Sequence, residues 1–312
     1  MRYTQSLFTE QKSNMTDILS IIRCPLCGGQ LRREGKSLLC DSRHTFDISK
    51  QGYVNLLPPG KEKNAHTGDE QIMVKARVDF LSRGYYKNIS DRLAELMSEQ
   101  IDTGSPIVIC DMGCGEGYHT CNFTEGVHSR LNKPVLTLGF DASKHAAVYS
   151  SKLSRSRGMM PKDGVGAEFN SPVGAYFMPA NIFHLPTPDH SVSAAVSMFA
   201  PIAWDEVKRI LKPGGILAVV SSGRDHLMEM RSLIYDEVKL SDFTPAACEG
   251  FTAVARDELT YETTIETNED IRNLFMMTPF YYKTTEAGRE RLYSKDNLKI
   301  TVNVNYIIFR MD

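Results

Sequence analysis

The chain contains no apolar run approaching the roughly 20 residues that cross a bilayer, so no membrane-spanning helix is expected. Residues 1–20 are polar, lack periodicity and lack the apolar segment of a secretory signal; a poorly ordered extension is the expectation there. No internal repeat appears. An excess of one charge is missing as well: the formal net charge is −2, which gives the whole chain no polyanion-binding signature. The seven cysteines are unevenly placed, and with no leader segment the expected home is a reducing cytoplasm.

What is present is unevenly distributed. The 312 residues suffice for one large domain and a small one. Residues 1–87 hold 14 Lys and Arg against 9 Asp and Glu, whereas the remainder holds 22 against 29. A basic first part on an acidic body is what a separate polyanion-gripping module looks like, with solvated surface lysines as the plain alternative.

The first part also carries Cys24-Pro-Leu-Cys27, then twelve residues, then Cys40 and His44 in C-x3-H. A C-x2-C turn brings two thiolates onto one zinc ion, and a facing hairpin supplies the second pair. Four ligands leave no open position, so the expected ion is structural and contributes folding energy to a segment too small for its own core. A redox C-x-x-C would leave Cys40 and His44 unexplained. Cys110, Cys114, Cys121 and Cys248 lack such partners and read as buried or incidental thiols.

The second organising stretch is Ile107-Val-Ile-Cys-Asp-Met-Gly-Cys-Gly-Glu-Gly117. An apolar run ends in Asp111, and Gly113, Gly115 and Gly117 follow as a tight turn into a helix from Tyr118. The helix start points free N–H groups at a ligand. The spacing departs from the G-x-G-x-x-G of dinucleotide sites, and the leading acid suits a ligand with an ammonium group. This loop looks like the S-adenosylmethionine loop of class I methyltransferases; an ordinary glycine-rich turn is the alternative.

From residue 106 the rhythm alternates strand and helix, which gives an α/β, Rossmann-like domain. Strands are expected at 135–140, 175–180, 192–199 and 216–221, with helices at 71–82, from 88, 143–157, 205–211, from 224 and 269–277. Residues 158–172 read as an inserted surface loop, 212–215 as a turn, and 251–265 and 300–309 as extended segments. Asp141 ends the second strand at the place where an acid meets a ribose, and Asn181 ends the third where an adenine is flanked. A surface acid is the alternative for Asp141.

Taken whole, the chain resembles bacterial 23S rRNA (guanine-N1)-methyltransferases of the RlmA/RrmA type. The resemblance rests on CPLCGGQL, HTFDISKQGYVNLLP, DMGCGEGYHT, GFDASK, KPGG, HLMEMRSLIYDEV and MTPF. It implies a class I methyltransferase domain over 106–312, a zinc-binding RNA-recognition domain over 21–60, and linker and helices over 61–105. It implies methyl transfer from S-adenosylmethionine to N1 of a guanine in a 23S rRNA hairpin, with zinc on Cys24, Cys27, Cys40 and His44. It further implies cofactor contacts at Tyr86, Gly117, Tyr118 and His226, and possible homodimerisation. Without it, Tyr86 reads as core packing and His226 as a helix cap. Two departures stand out, the extension 1–20 and a longer loop at 152–173. A milder one is Asn181, where many such enzymes carry an acid.

Guanine N1 is protonated and lies on the pairing edge, so the target must be unpaired and a base must accept its proton. Tyr85, Phe199 and Trp204 are candidates to stack the base, with core packing the favoured alternative for any one of them, and the loop from Phe199 through Pro201 is the expected base pocket. No catalytic base is legible. Arg23, Arg32, Arg33, Lys36, Arg43 and Lys50 are the expected phosphate contacts of the zinc module. A small-molecule methyltransferase needs no zinc knuckle or basic first segment. A non-catalytic zinc- and RNA-binding factor needs no intact Asp111 loop.

Overall fold

The computed structural model describes residues 17–58, 70–101, 104, 106–238, 245 and 248–312. Residues 1–16 of the expected extension lie outside the described residues. Its last part departs from expectation: Ile18–Ser20 forms a 3-10 turn, and Ile18, Ile21 and Ile22 are buried.

The zinc-bearing segment is a three-stranded antiparallel sheet: β1 (Arg32–Glu34), β2 (Ser37–Leu39) and β3 (Thr45–Asp47), in order β1-β2-β3. Strands this short bury only Leu38 and Phe46 between them, too little for an independent core. Two helices follow, α1 (Gln71–Leu81) and α2 (Lys87–Gln100). In α2 the buried Ile89, Leu93, Ala94, Leu96 and Met97 recur at helical spacing and make its inner stripe.

The large domain runs β4 (Ile107–Met112), α3 (Tyr118–Leu131), β5 (Val135–Asp141), α4 (Lys144–Ser156), β6 (Val173–Pro179), β7 (Val192–Met198), α5 (Trp204–Ile210), β8 (Leu211–Ser222) and α6 (Met228–Ile234). It closes with β9 (Phe251–Ile265), α7 (Asn268–Met276), α8 (Glu286–Tyr293) and β10 (Leu298–Met311). The seven strands lie in the order β6-β5-β4-β7-β8-β10-β9. The first five are parallel, and β10 runs antiparallel between β8 and β9. The strand order reverses on either side of β4, which opens a crevice at the carboxyl ends of β4 and β7.

Both faces of this sheet are covered, which is why β4 is buried at every position. Ile107 and Ile109 face a layer that includes α2, α3, α6, α7 and α8. Val108, Cys110 and Met112 face the other way, and that cluster contains Ile18, Ile22, Leu31, Leu38, Val54 and Leu56. The zinc-bearing segment therefore supplies part of one covering layer of the sheet.

The loop at 158–172 is clasped onto the same segment. Arg33 donates from Nη1 to the Val165 carbonyl at 3.0 Å and from Nη2 to the Asp163 carbonyl at 3.0 Å. Arg155 Nη1 reaches the Lys50 carbonyl at 3.0 Å, and Val165 N–H bonds to Gly52 O at 3.0 Å. Backbone approaches backbone here: a Cβ on Gly164 would sit 2.6 Å from the Gly52 Cα.

Two local expectations are corrected, and one helix was not anticipated. Residues 212–215 lie inside β8, where Leu211 pairs with Val192, a bulge intervenes, and Ile216 pairs with Ala194. The helix expected from 224 begins at Met228, because Leu227 at φ 56° caps it in a left-handed conformation. Helix α8 was not legible, since Glu286–Tyr293 buries only Gly288 and Leu292. Among the described residues no helix is long and apolar enough to cross a membrane.

Candidate active site and metal centre

Two turns build the metal centre. In the first, Gly28 N–H bonds to Cys24 O and Cys24 N–H to Gly29 O, both at 2.8 Å; in the second, Arg43 N–H bonds to Cys40 O at 2.9 Å. The four donor atoms lie within 4.8 Å of one another. Cys27 Sγ is 3.7 Å from Cys40 Sγ, and His44 Nδ1 is 3.4 Å from the sulfurs of Cys24 and Cys40. A zinc tetrahedron with ordinary bond lengths has S···S edges of about 3.8 Å and S···N edges of about 3.6 Å. The donor set fits zinc in both chemistry and size, with His44 binding through Nδ1. The Gly29 N–H lowers the Cys27 thiol to about 6, while burial raises the Cys24 thiol to about 11, so the second thiolate needs the ion itself to form.

The expected phosphate contacts divide. Arg33 is spent on the 158–172 clasp, and Arg23 Nη1 donates to Ser20 O and Ile22 O. Arg32 pairs with Asp41 at 2.7 Å on the exposed surface. Lys36, Arg43 and Lys50 are exposed on the same segment.

The second site gathers at the carboxyl ends of the parallel strands. Asp111, near the end of β4, is 3% exposed; Thr120 Oγ1 donates to its Oδ2 at 2.6 Å, while Oδ1 is buried without a partner. Burial raises this carboxyl to about 7, against the bond from Thr120, and the nearby Asp141 and Glu116 add to the rise. The turn folds back on β5 through Gly113 N–H to Phe140 O at 2.8 Å. Gly117 ends it at φ 84° as the N-cap of α3, and a Cβ there would meet Phe177 Cζ and Ser150 Cβ at 2.8 Å each. Glycine is the residue this position accepts.

Asp141 accepts from Gly115 N–H at 3.0 Å and from Ser143 N–H at 2.8 Å, so its carboxylate is fixed at the loop's edge. Asn181 lies just past β6, where Ala180 N–H bonds to Asp141 O, and its Oδ1 accepts from Phe183 N–H at 3.0 Å. Tyr118 opens α3 and is half-buried.

A third group comes from distant segments. Tyr86 caps α2, is 3% exposed, and its buried hydroxyl has no partner. Its ring centroid is 6.0 Å from that of His226, which in turn stacks on Phe199 at 6.3 Å and 27°. Asn303 N–H donates to His226 Nδ1 at 3.2 Å, so the neutral ring carries its hydrogen on Nε2. Burial lowers this imidazole to about 4. Phe199 stands at the end of β7 with φ 53°, a strained backbone for a large side chain, and is 47% exposed beside the exposed Pro201.

Two of the expected stacking residues are engaged elsewhere. Trp204 packs on Phe251 and Phe309, each at 5.4 Å. Tyr85 stacks on Phe80 at 5.2 Å, donates from its hydroxyl toward Asp270 at 3.4 Å and accepts from Glu266 N–H at 3.3 Å. The sequence reading missed Thr120, Glu116 and Arg77. Glu116 carried a signal: a charged residue between two glycines in a buried turn. Arg77 on α1 carried none, since only the fold brings it over the loop. The Asp111 Oδ1 and Tyr86 hydroxyl, both buried and without a partner, fit the polar groups of a bound zwitterionic nucleoside cofactor.

Residues 22–65 match the family model described as RlmA, N-terminal, a zinc ribbon, and residues 110–219 match one described as a methyltransferase domain. A Bacillus subtilis protein provisionally named a 23S rRNA (guanine-N1)-methyltransferase is 31% identical, over 93% of this chain and 96% of its own length. The Streptomyces fradiae 23S rRNA (guanine(748)-N(1))-methyltransferase is 33% identical, over 69% of this chain and 68% of its own. A protein of Micromonospora griseorubida with a similar provisional name is 30% identical, over 69% of this chain and 70% of its own.

Proposed function

This chain belongs to the 23S rRNA (guanine-N1)-methyltransferase family, and from that premise we propose that it methylates N1 of a guanine in a hairpin of large-subunit rRNA. The observation that carries the proposal is the union, around one buried apolar cluster, of a four-donor zinc centre and the Asp111 loop. A small-molecule methyltransferase has no use for the first, and a binding factor has none for the second.

When bound, S-adenosylmethionine supplies an electrophilic methyl on a sulfonium. Asp111 would hold its ammonium, with Gly113, Gly115 and Gly117 giving the backbone room beside it and Tyr118 flanking it. Asp141 would take the ribose hydroxyls and Asn181 the adenine edge. Tyr86 and His226 would complete the site. Their state matters: neutral His226 presents Nε2–H as a donor, so it orients a polar group rather than taking the N1 proton. Phe199 and Pro201 form the wall against which the flipped guanine stacks, next to His226. Methyl transfer to N1 would release the neutral thioether as leaving group, and a base would accept the N1 proton. The enzyme's main task is alignment and exclusion of water.

In this proposal residues 21–60 are the RNA-recognition module, 106–312 the catalytic domain and 61–105 the connection between them. Lys36, Arg43 and Lys50 carry the phosphate contacts. The cytoplasm, where rRNA and reduced cysteines coexist, is the compartment it requires. A homodimer is the finer part, measurable by light scattering. The activity is tested with tritiated S-adenosylmethionine and protein-free large-subunit rRNA from a strain lacking this enzyme. Labelled 1-methylguanosine mapping to one hairpin is the expected result. No label in that RNA or in ribosomal particles would overturn the proposal.

A further inference from the structure

Strand β10 turns Ile300, Val302, Val304 and Tyr306 into the core on one side. Asn303 stands among them with its side chain on the other side and is 2% exposed, although asparagine is depleted in strands and a buried amide must be satisfied. It stands where β8 runs out. Ser222, the last residue of β8, pairs with Val304, and Asn303 lies one step further along, beside the loop 223–227 that carries His226.

The loop is bound here through both backbone and side chain. Gly223 N–H donates to Asn303 O at 2.8 Å, Asp225 N–H donates to Asn303 Oδ1 at 3.1 Å, and Leu227 N–H donates to Thr301 O at 2.8 Å. With β8 ended, Asn303 N–H donates to His226 Nδ1 at 3.2 Å in place of a strand carbonyl. The amide nitrogen of Asn303 donates to Glu258 Oε1 at 2.6 Å and to Thr260 Oγ1 at 2.7 Å, both on β9. A carboxylate only accepts, so Glu258 decides which end of the amide faces β9 and which faces Asp225. The loop passes so close over this amide that the three atoms nearest a Cβ on Gly223 all belong to it, with Oδ1 the nearest and Cγ at 2.6 Å.

We infer that Asn303 is a positioning residue of the active site: its amide, oriented by Glu258, holds the loop 223–226 so that the His226 ring stays a single Nε2–H tautomer beside Tyr86 and Phe199. The backbone N–H sets the tautomer, and the side chain keeps the ring within reach of that N–H. His226 thereby becomes a fixed donor, and the ligand group it meets must be an acceptor, an oxygen or nitrogen lone pair. The inference rests on the proposal that His226 belongs to the S-adenosylmethionine site. It gives β9 and β10, which carry none of the expected cofactor residues, a part in shaping that site.

The test reads the ring itself as well as binding. Long-range proton–nitrogen NMR of the isotope-labelled protein shows which imidazole nitrogen carries hydrogen, with His226 assigned by comparison with His226→Gln. The variants are Asn303→Ala, which deletes the amide, Gly223→Ala, which pushes on it, and the two combined, with thermal melting to establish that they are folded. Wild type should show the Nε2–H form alone. In each single variant the Nδ1–H form should appear, and S-adenosylhomocysteine affinity, measured calorimetrically, should fall about three- to tenfold. The double variant should lose little more than Asn303→Ala, because the amide that the new methyl strikes is gone. Should Asn303→Ala fail to fold, Gly223→Ala alone carries both readouts. A wild-type tautomer in the folded single variants would show that Asn303 only packs the strand end. A changed tautomer with unchanged affinity would take His226 out of the site; both overturn the inference. A wild-type protein that binds no S-adenosylhomocysteine would overturn the cofactor assignment on which the inference rests, whatever the tautomer.

Discussion

Gly117→Ala is the substitution whose cost can be worked most directly from the geometry. The residue stands at φ 84°, and a Cβ there would lie 2.8 Å from both Phe177 Cζ and Ser150 Cβ. The left-handed backbone costs an L residue roughly 1–2 kcal/mol. Forcing a methyl into a filled core adds about 1–3 kcal/mol. Phe177 cannot step aside easily, because a Cβ on Gly139 would sit 2.6 Å from its Cδ1 on another side, and the ring is fully buried. The expected loss is therefore roughly 2–5 kcal/mol. Gly214→Ala is the control: it stands at φ 73° in the β8 bulge with nothing within 4 Å of its Cβ. Adding a methyl restricts the unfolded chain equally in both variants, so that contribution cancels in the difference. Urea unfolding of the two variants should separate them by about 1–3 kcal/mol, and S-adenosylhomocysteine binding should fall only for Gly117→Ala. Equal losses at both positions would refute the reasoning, since they would show that the Phe177 pocket relaxes at no cost.

Zinc removal by a chelator, or Cys40→Ser, should raise amide exchange across 24–56 and leave β4 to β8 protected, because the zinc-bearing segment has little core of its own. Arg33→Ala removes two donors to loop carbonyls at a cost of roughly 1–3 kcal/mol to the clasp, read as faster exchange of the Val165 amide while zinc content is unchanged. For Asp111 the folded carboxyl lies at about 7 against an ordinary 3.8, so its protonated form contributes stability that is complete below about pH 4 and lost as pH rises through 7. Asp111→Asn should accordingly be more stable than wild type above pH 7 in the absence of ligand, with the gap closing on acidification; urea midpoints across pH 5–8 measure it, and no pH dependence of the gap would sink the assignment. Phe199→Gly releases the φ 53° strain and should hold or raise stability while turnover on RNA falls sharply, an outcome that Phe199→Ala turnover at the wild-type level would contradict.

Sequence carried the parts of this protein that depend on local spacing. The four zinc donors are legible because a tetrahedron demands paired ligands on two turns, and the structure brings all four within one ion's reach. The strands β4 to β7 are legible because apolar runs between glycines have few other uses. What spacing cannot carry is an assignment made by distant partners. The same run of arginines contains Arg43, exposed, and Arg33, consumed by carbonyls some 130 residues away in the 158–172 loop. Trp204 and Phe199 lie five residues apart and both looked like platforms for a base. One faces Phe251 and Phe309 from the core side of the sheet, and the other projects beside His226. Tyr86 and His226, anonymous in the bottom-up reading, acquire meaning only when α2 and β10 place them 6.0 Å apart, with Asn303 fixing the imidazole. The zinc segment makes the same point at the level of layers. Its charge set it apart, yet its apolar residues share a cluster with Val108, Cys110 and Met112 of the strand that ends in the cofactor loop. A shift of the zinc-bearing layer is therefore a shift against β4 itself, so the part proposed to grip the RNA and the part proposed to carry the methyl share one continuous core.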